Sequence, residues 1–295
     1  MFYISRNAEY INLMFLSSLF QRHKVKPLWQ FRTSGILWRL TFSQTGFIIG
    51  EDRDADKKIV TYFCLNISNG DVLWKDLSFC DPFWSGVKGV IEDKLYIHGF
   101  RKPDMPEQHK IVAVDLGTGK ELWSRNDISV LSANENELCA FRDFFERRAY
   151  YLINAKDGEL IAEYDKLPET YIPREDFTGK TNFQYPRPSQ LTTELKNLIE
   201  QFAPTTNIKG QIEIIEYKNL FMCSFHQKEK NNPDEQINYS HHFLLIDNSK
   251  TKLLYKEVLN SSTPNIVPDS YFLGDDMLFL LKEKSAIIAI NINSI

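Results

Sequence analysis

Charged and titratable residues recur in this chain just after the second apolar run of each of five units. They are Glu51-Asp52-Arg53-Asp54, His98 with Arg101, Arg142-Asp143, His226 with Lys228, and Lys282-Glu283. If the units surround an axis, these side chains converge on one mouth of it. Arg53, Arg101 and Arg142 would then hold a carboxylate or phosphate by paired N–H donors. The acids Glu51, Asp52 and Asp54 raise a second chemistry, acid–base cleavage of a glycoside, which needs two carboxylates facing each other across the bond. Only Asp143 offers a loose partner from another unit, so no catalytic residue is nominated. The candidate ligand-binding set is Arg53, Arg101, Arg142, Glu51, Asp52, His98 and His226. A competing reading makes them solvated turn charges, or Arg–carboxylate pairs locking neighbouring units, and it is favoured because charged turns are common.

Metal and nucleophile chemistry find little support. His241 and His242 open an apolar run, and adjacent strand residues point to opposite faces, so the two cannot chelate one ion together. His98 and His226 occupy comparable places in two units, with no third ligand evident. Cys64, Cys80, Cys139 and Cys223 lie far apart and form no Cys-x-x-Cys pair. They read as buried thiols in a reducing compartment, which favours the cytoplasm. The sequence contains no Ser-His-Asp order, glycine-rich phosphate loop or calcium loop, so no cofactor is expected. Thirty-five basic and 39 acidic residues give a formal net charge of -4. That balance gives no electrostatic reason to expect nucleic acid or an anionic membrane as partner; the expected partner is another protein or a small anionic ligand.

The elements that must position these residues come from an internal repeat. Ile111 to Trp123, IVAVDLGTGKELW, joins a β-branched run, a polar Gly-containing turn and a short run ending Leu-Trp, which is a hairpin signature. LNISNGDVLW (65 to 74) repeats it well, and INAKDGELI (153 to 161) repeats it with Leu160-Ile161 in place of Leu-Trp. From Gly70 to Gly119 and from Gly119 to Gly158 the spacing is 49 and then 39 residues. Such spacing suits one four-stranded unit per repeat. Two further units follow, at 211 to 258 and 271 to 292. The last lacks a fourth strand, which the lone strand around Leu28-Trp29 can supply. Trp29, Trp74 and Trp123 share one repeat position and read as residues packing between units.

Two segments fall outside the repeat. The apolar run Ile11 to Phe20 is too short to span a bilayer, and its basic cluster follows it, so residues 1–25 read as a short amphipathic helix and not a secretory signal. A start at Met14 would also account for it. Residues 168–207 read as an insertion carrying one helix, with Leu191, Leu195, Leu198, Ile199 and Phe202 on one face, Ser189 as its cap and Pro204 as its stop. Arg101 to His109 reads as a Pro-containing loop.

The three hairpins resemble the blade repeats of quinoprotein-like, pyrroloquinoline-quinone-type β-propellers. The resemblance implies an all-β propeller, here of five four-stranded blades closed by the N-terminal strand, occupying 26–295 with the helical insertion on its surface. Catalytic members of that family hold the quinone with a vicinal disulfide and calcium. Neither pattern is present here, so the resemblance implies a non-catalytic bacterial member, a binding platform for a protein or a small ligand. A degenerate oxidoreductase or glycan-active propeller is the alternative.

Overall fold

The computed structural model describes residues 25–102, 105–167, 169, 183–203, 207–229, 237–247, 249–274 and 276–295. The helix expected over 1–25 and most of 168–182 lie outside them. Among the described residues the chain forms five sheets. After β1 (Trp29–Arg32) come β2 (Ile36–Phe42), β3 (Phe47–Asp54), β4 (Ile59–Asn66) and β5 (Val72–Leu77), paired in sequence order. The next sheet has β6 (Ser85–Ile91), β7 (Lys94–Lys102), β8 (Met105–Asp115) and β9 (Glu121–Asn126), again in order. A third holds β10 (Ser129–Ala133), β11 (Glu137–Asp143), β12 (Arg148–Asn154) and β13 (Leu160–Tyr164).

Then follow β14 (Phe183–Gln184), β15 (Arg187–Ser189) and helix α1 (Thr193–Phe202). A fourth meander has β16 (Ile208–Tyr217), β17 (Leu220–Lys228), β18 (Tyr239–Asp247) and β19 (Leu253–Thr263), with β15 added at the edge beside β16. The last strands are β20 (Tyr271–Gly274), β21 (Met277–Lys282) and β22 (Ala286–Asn291), in the sheet order β1-β22-β21-β20-β14. β1 runs antiparallel to β22, with Trp29 opposite Ala289 and Arg32 opposite Ala286. Among the described residues no helix is long and apolar enough to cross a membrane.

Two expectations change. The segment read as a loop over Arg101 to His109 continues the β7–β8 ladder, with Lys102 opposite Met105. Helix α1 is capped by Thr192, whose hydroxyl accepts the Leu195 N–H at 3.3 Å, while Ser189 belongs to β15 and Leu191 precedes the helix. Ile199 is buried, and Leu195, Leu198 and Phe202 pack with it on Phe221, Cys223, Phe225 and Leu244.

The chain divides into two compact units. One holds Gln184–Phe272 and Ile290–Ile295, and the other holds Leu28–Phe183 and Leu273–Ala289. In the larger unit three sheets stack face to face in chain order. Ile49, Val60, Tyr62 and Cys64 meet Val87, Leu95, Val112 and Val114; on the other side of that sheet, Tyr96, Ile111 and Ala113 meet Val130, Leu138 and Ile153. Alternation along β8 sends 111 and 113 one way and 112 and 114 the other, which is why this run is apolar throughout although the sheet is antiparallel.

The repeat motif fastens one sheet to the next. Trp29 Nε1 donates to Ile67 O at 3.0 Å, Trp74 Nε1 to Leu116 O at 2.8 Å and Trp123 Nε1 to Ala155 O at 3.1 Å. Each indole thereby lies on the turn of the following sheet, against its glycine. Gly70, Gly119 and Gly158 have φ of +74°, +70° and +75°. A Cβ there would approach Trp29, Trp74 and Trp123 to within 2.6, 2.9 and 2.7 Å respectively. Backbone conformation and close contact both require glycine at these positions.

Candidate functional site

Glu51 and Arg53 sit two residues apart on β3 and therefore share a face. That face meets β6 of the next sheet. Glu51, 1% exposed, accepts Arg53 Nη2 and Nε on Oε2 at 2.8 and 3.2 Å and the Val87 N–H on Oε1 at 2.8 Å. Arg53 also donates Nη1 to Phe83 O at 3.1 Å and Nη2 to Ser85 O at 2.6 Å. Its guanidinium carbon lies 5.5 Å from the Trp38 ring and 5.6 Å from the Phe83 ring. A buried carboxylate is tolerable here because a cation and a backbone donor both satisfy it. Most of the guanidinium's five donors are taken up inside the protein.

Tyr62 completes the same network. Its hydroxyl donates to Ser85 Oγ at 2.9 Å, and Ser85 Oγ donates to Asp81 O at 3.2 Å. Burial, then the Glu51 charge, pushes the phenol far above its ordinary range, so it is a neutral donor. His98 stands opposite Gly86 in the ladder. A Cβ on Gly86 would lie 3.1 Å from His98 Nε2 and 3.4 Å from Glu51 Oε1, so the missing side chain lets the imidazole and the carboxylate approach the same point. Burial first, then Lys88, with Arg39 and Arg53 adding, holds His98 down to about 4. It is a neutral imidazole near neutral pH.

The structure thus brings Glu51, Arg53 and His98 together around Ser85–Val87. Asp52 faces the other way and accepts the Gly35 and Ser34 N–H groups at 2.8 and 2.9 Å, pinning the β1–β2 turn. Arg101 is exposed on β7, and Arg142 is exposed 3.8 Å from Asp127. His226 belongs to the smaller unit, where Nε2 accepts the Val267 N–H at 3.1 Å and the ring stacks on His241 at 3.9 Å. His241 is fully buried, and neither of its nitrogens has a hydrogen-bond partner among the described residues. Burial, then His226 and His242, holds His241 down to about 2. As strand alternation requires, His242 points elsewhere and stacks on Phe225 at 5.3 Å. Among the described residues no group of three or more His, Cys, Asp or Glu side chains could hold a metal ion.

The β11–β12 hairpin carries a feature that the charge pattern passed over. Its tip closes with the Phe144 N–H donating to Arg147 O at 2.8 Å. This presents Phe144 and a fully exposed Phe145 to solvent. The guanidinium carbons of Arg142 and Arg147 lie 5.1 and 5.4 Å from the Phe144 ring, and that of Arg148 lies 4.1 Å from Phe141. Arg148 is itself fixed bidentately on Asp143 at 2.6 and 3.0 Å. The signal was the adjacent pair Phe144-Phe145 inside a charged turn, where apolar rings have no core to enter.

Residues 42–123 match a family described as a domain of unknown function (DUF4905). No curated protein matches the chain. Solved structures that match the chain include a europium-containing methanol dehydrogenase, with 10% identity and a TM-score of 0.31 over 89% of this chain and 52% of that one. The chain therefore spans about half the length of that enzyme. A DUF4221 family member from Bacteroides vulgatus has 8% identity and a TM-score of 0.32, covering 90% of this chain and 97% of its own. The β-propeller domain of the Trilobed protease from Pyrococcus furiosus has 9% identity and a TM-score of 0.34, covering 88% and 94%.

Proposed function

We propose that the five sheets are the blades of a quinoprotein-like β-propeller closed by the β1–β22 pairing, and that this propeller is a non-catalytic platform that binds another protein through the β11–β12 tip. The fold reading is supported by the sequential stacking of three meanders and by the repeated Trp-to-turn bond. The observation that carries the binding reading is the tip itself, with Phe145 wholly in water, Phe144 beside it and arginines over the ring. Aromatic and arginine side chains dominate binding energy at interfaces, because they bury large area at small entropic cost and can bridge polar partners. Glu51 and Arg53 have the chemistry of a site, yet their polar atoms are directed at each other and at backbone, and the buried His98 Nδ1 has no hydrogen-bond partner among the described residues. Four free cysteines support a reducing compartment such as the cytoplasm.

The test is a photo-crosslinking amino acid at position 145 in the native cell, with the same residue at exposed Tyr164 as control. A discrete adduct at 145, absent at 164 and lost when Arg142 and Arg147 become Ala, supports the reading. Equal, diffuse labelling at both positions overturns it.

A further inference from the structure

The smaller unit contains a pocket of about 380 Å³ where the end of α1 leaves the face of the fourth sheet uncovered. Ala203 forms one wall, and the others include Gln227 on β17, His242 and Leu244 on β18, and Lys256 and Val258 on β19. The ladder explains why these residues meet. His242 pairs with Val258 and Leu244 with Lys256, and 242 and 244 share one face of β18. Gln227 lies opposite Ser240 on the neighbouring strand.

The volume falls within the range of small-molecule sites, which are mostly apolar with a few polar groups fixing orientation. Here the polar groups are two donors and an imidazole. The side chains of Lys256 and Gln227 have no hydrogen-bond or ion-pair partner among the described residues. The His242 ring is held by its stack on Phe225, with planes 18° apart, and by the Nε2–Ser240 Oγ contact of 2.9 Å. Burial and the Lys256 charge lower its basicity. Glu257 also borders the pocket, but it accepts the Tyr255 hydroxyl at 2.9 Å and the Val258 N–H at 3.0 Å, which draws its carboxylate toward the opposite face. Lys256 is therefore the charge presented to a ligand.

We infer that this pocket binds a small monocarboxylate with an aromatic or branched apolar body, the carboxylate on Lys256 and Gln227 and the body against Leu244, Val258 and the His242 ring. The inference is independent of the contact assigned to the hairpin tip.

The experiment titrates the full chain with 3-phenylpropionate, and in parallel with its neutral amide, by calorimetry and by NMR of the histidine rings. Saturable binding of the acid that shifts the His242 signals is expected, with the amide at least about tenfold weaker. Lys256→Met should weaken the acid by about tenfold or more, and so should Val258→Glu, which sets a like charge at the mouth. Both positions are partly solvent-exposed, and circular dichroism confirms that the variants fold. No saturable binding at millimolar concentration, equal affinity for acid and amide, or an affinity unchanged in Lys256→Met overturns the inference.

Discussion

Replacing Gly119 by Ala tests the account of the repeat most directly. The residue has φ of +70°, where an L side chain costs about 1–2 kcal/mol. Its new Cβ would stand 2.5 Å from Leu77 Cδ1 and 2.9 Å from Trp74 Cγ. The leucine methyl can move, but the indole is held by its bond to Leu116 O at 2.8 Å and by an edge contact with Phe79 at 6.3 Å. Forcing a methyl into packed surroundings costs a further 1–3 kcal/mol or so. Gly119→Ala should therefore lose about 2–5 kcal/mol in urea unfolding. Gly117, in the same turn, would place its Cβ no closer than 3.7 Å to Asp115 Oδ1, so Gly117→Ala serves as the matched control. All five tryptophans fall in the larger unit, so indole fluorescence follows the unfolding of that unit alone. A loss in Gly119→Ala no larger than in Gly117→Ala would refute the claim that the turn glycine exists to seat the preceding sheet's tryptophan.

Glu51→Ala should destabilise the larger unit by about 3–5 kcal/mol, because it strands a buried guanidinium and the Val87 N–H together. Tyr62→Phe, which removes only the bond to Ser85, should lose about 1 kcal/mol in the same urea assay. Acid should weaken the fold through its buried histidines. The folded values of His98 and His226 are depressed to about 4 from an unfolded value of 6.5, so the unfolded chain binds protons first as the pH falls. Stability is thus lost from about pH 6.5 downward and the loss is complete below about 4, amounting to roughly 3 kcal/mol for each. Urea midpoints at pH 7, 6, 5 and 4 measure it, and His226→Gln should flatten the curve; a midpoint independent of pH above 4 would show that these rings are solvated.

The hairpins were legible because their turns need particular residues: a residue with an acceptor side chain at Asn66, Asp115 or Asn154, then glycine four positions on, then a strand. The ladder over Lys102 and Met105 was hidden because prolines and charges in a two-stranded extension look like a loop. β15 was hidden for a related reason. Pro188 cannot donate to a ladder, which argues against a central strand but not against an edge strand such as β15. Partner choice was the least legible property. Nothing in Glu51-Asp52-Arg53 says that 51 and 53 turn to the next sheet while 52 turns to residues 34 and 35. The pocket draws its residues from three strands and a helix end outside the repeat, so no local pattern could announce it.

The pairing of β1 with β22 bears on how the protein emerges during synthesis. Trp29 can reach the turn at Ile67 as soon as the first full sheet exists, yet the hydrogen-bonding edge of its strand waits for residues up to 291. Through most of translation the nascent chain holds an unsatisfied β1 edge, able to bind any extended segment that comes near. A C-terminal truncation before Ala286 would make that transient edge permanent, so aggregation, more than loss of one strand, is the damage such a truncation should cause.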